Sequence, residues 1–350
     1  MEKHIHGGDV YHHQGCIDFS ANCNPLGTPE EIKKAIIKSL EHINDYPQVG
    51  CTPLKKAIAE YENTKPDQVI CGNGAAEVIF SLCRAVNPRR ALVPAPTFAE
   101  YQQALYSVDC QVEFFPLNGK KGFVLEEDFL QALTKEIDII FLCNPNNPTG
   151  LLVEKPLLEK ILKLDILMAV DECFLDFVPS PEKYTLKEYL ETYDNLFLLK
   201  AFTKRYAMAG VRLGYGLCGN KGLLEKIEGV CQPWNVSSMA QSAGLAALQE
   251  REYVEKGRQV TFQELAYLKE ELTALGYPVY PSQANYVFFT GPADLYEKLE
   301  QKKILIRDCS NYTGLSKGYY RVAVKKHEEN QQLVRALKEI DRTKVENVIL

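Results

Sequence analysis

An α/β fold with a mostly parallel central sheet flanked by helices, followed by a smaller α+β domain, is what this sequence predicts, on three observations. Short apolar runs alternate with longer amphipathic stretches through the first two thirds of the chain, the pattern of parallel strands joined by crossover helices. Several of those runs stop at once in polar or Gly/Pro-rich text (CGNGAAE, VPAPTF, LCNPNNPTG, AVDEC, LLKAFTK), as strands do where their carboxyl ends border a ligand crevice. From Tyr277 the text turns β-like in YPVYPSQANYVFF, ILIRDC and GYYRVAV, with helical stretches between and after.

The elements follow in order. Strands are expected over residues 68–71, 90–93, 111–115, 138–143, 166–170 and 195–199, each an apolar run of strand length bounded by turn residues. Residues 221–275 read as mostly helical, beginning with LEKIEGV and continuing through SMAQSAGLAALQ to KEELTALG. The expected organisation is an N-terminal arm (1–40) contributing to the small domain, a large domain (41–240) and a C-terminal small domain (241–350), with no flexible linker between the lobes.

Composition narrows the function. Of 350 residues, 46% are hydrophobic and 25% charged, ordinary values for a globular protein with ample core. Forty basic against 46 acidic residues leave a net charge of −6, so no global positive field favours nucleic acid or an anionic membrane, and any anion must be bound locally. Eleven cysteines are scattered without a C-x-x-C pair, which argues against a zinc site or a disulfide framework. With no apolar leader and no run of about 18 apolar residues, a cytoplasmic location is expected. Four histidines (His4, His6, His12, His13) crowd the N-terminus, but no carboxylate or thiol is arranged around them as a metal site requires, and no metal is expected.

Four segments carry candidate chemistry, and each alone has an ordinary reading. Gly72-Asn73-Gly74-Ala75-Ala76-Glu77, between a strand and a helix, offers backbone N–H groups to a phosphate but is also simply a turn. Asn144–Gly150 is a Pro/Asn turn after an apolar strand. Asp171 ends an apolar strand, as a helix cap or as a buried partner for a cation. Thr203-Lys204 precedes Arg212 in AGVRLGY, and a lone lysine is usually a solvated one.

Together and in this order, the four resemble the fold type I enzymes that use pyridoxal 5′-phosphate (PLP), the aspartate-aminotransferase-like superfamily, over nearly the whole chain. The resemblance implies that Lys204 forms a Schiff base with PLP and that Asp171 holds the ring nitrogen protonated. It further implies that Asn147 donates to the ring 3-oxygen and that Phe98, in PAPTFAEY, stacks on the ring. The cofactor phosphate would be held by N–H groups around Gly74, Ala75 and Ala76, by the Thr203 hydroxyl and by Arg212. Tyr46, in DYPQVG, matches a tyrosine that reaches the neighbouring subunit's phosphate, which implies a homodimer with shared active sites. Two positions depart from the pattern: Phe174 stands where many members have a tyrosine that bonds the 3-oxygen, and Ala201 where a Ser or Thr often touches phosphate.

The branch is indicated by the N-terminus. His6-Gly7-Gly8 and Asp18-Phe19-Ser20-Ala21-Asn22-Cys23-Asn24-Pro25-Leu26-Gly27 are similar to the opening of the superfamily's decarboxylases of L-threonine O-3-phosphate, which serve cobalamin biosynthesis. That resemblance places the substrate phosphate at His6, Gly7, Gly8, Asn22 and Arg307, and the α-carboxylate at Arg321, with Asn147 also facing substrate. Two arginines converging on one site suit a substrate with two anionic groups; the other reading of Arg307 is a surface ion pair. The main rival is an aminotransferase for histidinol phosphate built on the same Lys204 and Asp171. Serine phosphate in place of threonine phosphate is a second, since one methyl is worth only about 1–3 kcal/mol in a pocket.

Overall fold

The strands expected from the apolar runs build one seven-stranded sheet in the computed structural model, which describes residues 6–349, with side chains to residue 340. His4 lies outside the described residues. Strand β1 (Ile17–Asp18) belongs elsewhere; it is followed by helices α1 (Glu30–Ser39) and α2 (Thr52–Glu62). The large sheet then begins with β2 (Val69–Gly72), α3 (Gly74–Val86), β3 (Arg90–Ala95), α4 (Ala99–Tyr106) and β4 (Gln111–Pro116). It continues with α5 (Phe129–Ala132), β5 (Ile139–Cys143), α6 (Lys155–Leu162), β6 (Leu167–Asp171), β7 (Leu196–Ala201), α7 (Phe202–Arg205) and β8 (Gly214–Cys218).

The strand order is β2-β8-β7-β6-β5-β3-β4. Only β8 runs against its neighbours, pairing antiparallel with both β2 and β7. Adjacent residues of one strand feed opposite faces of the sheet. Val69, Leu92, Ile140, Met168 and Leu198 pack in one core, and Ile70, Val93, Phe141, Ala169 and Leu199 in the other. This two-sided burial is why the runs are continuously apolar rather than alternating.

Beyond the large sheet come α8 (Lys221–Val230), α9 (Ser238–Ala247) and α10 (Arg251–Ala274), so the expected helical stretch divides into three helices. The last part of the chain holds β9 (Tyr286–Thr290), α11 (Leu295–Gln301), β10 (Ile304–Leu305), β11 (Arg307–Asp308), β12 (Tyr319–Ala323) and α12 (His327–Ile349). Its antiparallel sheet has the order β11-β12-β9, while β10 pairs with β1. A third core lies here, with Leu268, Val287, Phe289, Val322 and Leu337 buried around Phe19 from the N-terminal segment. Ile32 of α1 instead packs in the core of the large sheet, so the first 40 residues lean on both sheets.

Strand β8 was not among the expected strands. Two of its five residues are glycine, which lowers strand propensity, and its text reads as a continuation of AGVRLGY. Both glycines are required by packing. A Cβ on Gly216 would come within 2.3 Å of Phe197 Cζ, and one on Gly214 within 2.3 Å of the Ala75 nitrogen. All eleven cysteines are free thiols, and no helix among the described residues is long and apolar enough to cross a membrane.

Candidate active site

The carboxyl ends of β2, β3, β5, β6 and β7 and the amino end of β8 meet at one edge of the large sheet. A cavity of about 310 Å³ opens there towards the small antiparallel sheet. Asp171 is the last residue of β6 and is buried. Its Oδ2 accepts from the Tyr101 hydroxyl (2.6 Å) and its Oδ1 from the Cys173 backbone N–H (2.9 Å). Burial and the neighbouring Asp171 push the Tyr101 hydroxyl well above the usual phenol range, so it keeps its proton and donates. The same two causes raise the Cys173 thiol, which leaves neutral groups around this carboxylate.

Lys204 rises from α7, one turn beyond the end of β7, with its ammonium 5.8 Å from the centroid of the Phe174 ring. It forms no ion pair within 4 Å among the described residues, whereas the lysine four residues earlier is fully committed. Lys200 Nζ lies 3.0 Å from Glu172 and 3.9 Å from Glu62. Next to Lys204, Arg205 is held by Asp176 (2.6 Å) and faces Glu62 (3.6 Å), with Lys187 also on Glu62 at 2.8 Å. Burial pushes the Glu62 carboxyl up, but Lys200, Arg205 and Lys187 outweigh it and hold Glu62 below the usual carboxylate range. This buried network clamps the backbone on both sides of Lys204 and leaves its amine available.

The turn at Gly72–Glu77 has the geometry of an anion cradle. Helix α3 begins at Gly74; Glu77 Oε2 accepts from the N-cap Asn73 N–H, but the Asn73 side chain caps none of the N–H groups that follow. Gly74 adopts φ +81°, and a Cβ there would lie 2.5 Å from Arg212 Nη2, so the glycine lets the guanidinium close on the helix start. Gly214 pairs with Gly72 on one side and Ala201 on the other, and its missing side chain lets the start of α3 settle on the sheet beside β7, the strand that leads into Lys204. Ala75, Ala76, Thr203 and Arg212 all line the cavity.

Asn147 and Phe98 face the same space. Asn147 Oδ1 accepts from the Tyr312 hydroxyl (3.2 Å) and from Arg321 Nη1, which fixes the amide so that its Nδ2 is the end left to donate. Phe174 packs edge-on against Tyr286 (5.1 Å) and contributes no hydroxyl, so the missing donor is not supplied at that position.

At the other end of the cavity stand Arg307 and Arg321, which are directly opposed across the β11–β12 ladder and both buried. Like charges facing one another across a ladder repel, and burial sharpens the cost. Arg307 donates to Asp308 O (2.6 Å) and Asn311 Oδ1 (2.7 Å), and Arg321 Nη2 to Ser20 O (2.8 Å), while Arg321 Nε has no partner. Burial excludes the reading of Arg307 as a surface ion pair. Beside them Asn22 is 1% exposed with neither side-chain polar atom hydrogen-bonded, an arrangement that natural proteins keep mainly where a ligand completes it. His6 and Gly7 line the cavity here; Gly8 lies just outside it, its N–H donating to Ser20 Oγ at 2.6 Å. Tyr46 is not in this chain's cavity; it is 78% exposed and stacks on Trp234 at 4.6 Å.

The family described as aminotransferase class I and II matches residues 14–337. The chain belongs to that family. Among its relatives, the threonine-phosphate decarboxylase of Salmonella typhimurium is 36% identical over 332 residues, 93% of this chain and 91% of its own. A histidinol-phosphate aminotransferase of Methanococcus aeolicus is 30% identical over 335 residues, covering 93% of this chain and 90% of its own. The crystal structure of the histidinol-phosphate aminotransferase from Clostridium acetobutylicum superposes with a TM-score of 0.87 at 30% identity, covering 93% of this chain and 99% of that one.

The architecture is accordingly that of fold type I, and the cofactor of such enzymes is PLP. The residues present fit it. An amine with no ion pair among the described residues, a buried carboxylate that accepts from a buried phenol, and a helix start with an arginine pressed against it are the three groups that a PLP aldehyde, ring nitrogen and phosphate require. Two cavity residues, Glu100 and Tyr312, and the buried Tyr101 behind Asp171 escaped the reading of the sequence. Tyr101 follows Phe98 by three residues at the start of α4, and that one-turn spacing is the signal that could have placed it beside Phe98.

Proposed function

We propose that this enzyme decarboxylates L-threonine O-3-phosphate to (R)-1-aminopropan-2-yl phosphate and CO2, a step of cobalamin biosynthesis. The observation that carries the reading is the buried pair Arg307 and Arg321 with the unsatisfied Asn22 beside it. Two guanidinium groups at one end of a cavity whose other end holds a lysine amine suit an amino acid with two anionic groups. The named function of the 36% identical relative supports the same reading.

Arg321, tied to Asn147, takes the α-carboxylate, and Arg307 with Asn22, His6 and the Gly7-Gly8 backbone takes the phosphate. PLP, when bound, supplies an electron sink for the pair left at Cα as a substituent departs. Lys204 holds PLP in the resting enzyme. Asp171, oriented by Tyr101, keeps the ring nitrogen protonated. Asn147 donates to the ring 3-oxygen and Phe98 covers the ring face. The N–H groups of Gly74, Ala75 and Ala76, the Thr203 hydroxyl and Arg212 bind the cofactor phosphate. The substrate anchors would decide which substituent leaves Cα: with Arg321 on the carboxylate and Arg307 on the phosphate, the carboxylate would depart as CO2, and Lys204, protonated, would deliver a proton to Cα.

The decisive experiment supplies the PLP-loaded enzyme with L-threonine O-3-phosphate, with and without 2-oxoglutarate, and follows CO2 and glutamate. CO2 release independent of 2-oxoglutarate is expected. Glutamate formed from histidinol phosphate without CO2 from threonine phosphate would instead establish the aminotransferase. In the same assay Arg307→Ala is expected to raise KM for the phosphorylated substrate by about 30-fold or more, the loss of a charge-assisted contact of about 2–3 kcal/mol. An unchanged KM would remove Arg307 from the phosphate site.

Tyr46 supports a homodimer with shared sites. It is exposed together with Ile43 (64%), Val49 (56%) and Trp234 (46%), an apolar surface of the kind a second subunit covers. Sedimentation velocity should give twice the 39.6 kDa chain mass. A monomeric mass with full activity would exclude a contribution of Tyr46 to a neighbouring site. The absence of a membrane-crossing helix among the described residues supports a cytoplasmic enzyme.

A further inference from the structure

Glu100 brings a carboxyl group into the end of the cavity that collects cationic side chains. It comes from the first turn of α4, and its side chain is 16% exposed. Its Oε1 lies 3.2 Å from His6 Nδ1, and its Oε2 is buried without a hydrogen-bond partner. A carboxylate beside a phosphate site is an electrostatic contradiction, since it repels the dianion that His6 and Arg307 are placed to attract. The contradiction disappears when the carboxyl is protonated, because it then offers an O–H donor where it previously offered a charge.

We propose that Glu100 is the proton-uptake residue of the phosphate-binding end: as a phosphate dianion enters beside His6 and Arg307, Glu100 takes one proton from solvent and donates a hydrogen bond to the phosphate. This rests on the reading of the cavity as a site for a phosphorylated substrate. The proton comes from water or buffer and no bond in the ligand changes.

The groups facing Glu100 set the balance. Burial lifts its carboxyl to about 7, with Asp171 of β6 adding to the rise; its own backbone N–H, Lys204 of α7 and Arg307 of β11 oppose it. Tyr312, beyond β11, also faces this region and stays neutral, pushed up by burial. His6 is driven down from its ordinary value, first by burial and then by Arg307, so near neutral pH it is not already charged. Glu100 therefore begins close to half-protonated, and a phosphate monoester, carrying roughly −1.5 to −2 charges, shifts it to the protonated side. As pH rises above 7, binding must drag in a proton that is increasingly scarce.

The test uses the PLP-loaded enzyme, so that the cofactor's own phosphate site is filled, with methyl phosphate as the probe. Calorimetric titration at pH 7.5 to 9 in buffers of different ionisation enthalpy reads both affinity and protons exchanged. The wild type should take up between half a proton and one proton per ligand and lose affinity by up to about tenfold per pH unit, the slope of a single linked proton. Glu100→Gln, which keeps a neutral donor of the same shape, should take up none and hold its affinity flat. A wild type without uptake, or a Glu100→Gln enzyme with the same uptake, overturns the proposal. So does a Glu100→Gln enzyme that loses kcat with uptake unchanged, since Glu100 would then act at the reacting carbon.

If Glu100→Gln fails to retain PLP, His6→Gln serves instead. That variant should keep the uptake, and losing it would assign the proton to His6. An enzyme that binds methyl phosphate with Glu100-dependent uptake yet releases no CO2 from threonine phosphate would refute the proposed reaction and leave this inference standing.

Discussion

Replacing Lys204 by alanine is expected to abolish turnover and to strip the protein of its covalently held PLP. The visible absorbance that co-migrates with wild-type protein on gel filtration should disappear. CO2 release should fall by about 10³-fold or more, since a positioned proton-transfer group alone contributes roughly 10²–10⁴-fold. The expectation comes from how differently the structure treats neighbouring cations. Lys200 and Arg205 are sealed among carboxylates, while Lys204, between them in sequence, faces the cavity without an ion pair. Folding should be almost untouched, because no described carboxylate depends on Lys204. Survival of the protein-bound absorbance in the alanine variant would overturn the cofactor assignment.

The second large effect falls on stability. Glu62→Gln removes the one negative charge shared by Lys187, Lys200 and Arg205, and the Tyr215 hydroxyl loses its anionic acceptor. Breaking a buried ion network by deleting one partner costs about 3–5 kcal/mol, because uncompensated charges stay behind. The pH dependence fixes the cause. Glu62 is held below its ordinary value of 4.5 in the folded state, so its contribution is complete above that value and is lost as pH falls below it. Urea unfolding should show the wild type and Glu62→Gln far apart at pH 7 and converging below pH 4.5. A gap that stays constant down to pH 3 would mean that packing, not charge, is responsible.

Much of this architecture was legible in the sequence because burial on both faces writes itself as uninterrupted apolar text. Six strands of the large sheet were expected within two residues of where they lie, and most extend further towards the site than the apolar text alone suggests, β3 to Ala95 and β7 to Ala201 among them. Polar text at their ends marked the crevice, and Asp171, Asn147 and Lys204 do converge there. Strand β8 was hidden because its glycines answer to Phe197 and Ala75, contacts that arise only after folding. The opposition of Arg307 and Arg321 was equally hidden, since spacing along the chain does not state the register of an antiparallel pair. Glu100 was passed over because a carboxylate in the first turn of a helix is usually explained by the helix dipole alone.

The two arginines sit on the small antiparallel sheet, while Asp171, Lys204 and Arg212 hang from the large one, and Asn147, bonded to Arg321, is the stitch between the groups. Heritable change is therefore partitioned. Under the proposed reading, substitutions in the small antiparallel sheet would retune which molecule is accepted, whereas the first 25 residues are less free, since Asn24 bonds the backbone carbonyls of Lys204 and Arg205. A substitution at Asn147 would be felt by both groups at once, so that position has the least freedom to drift.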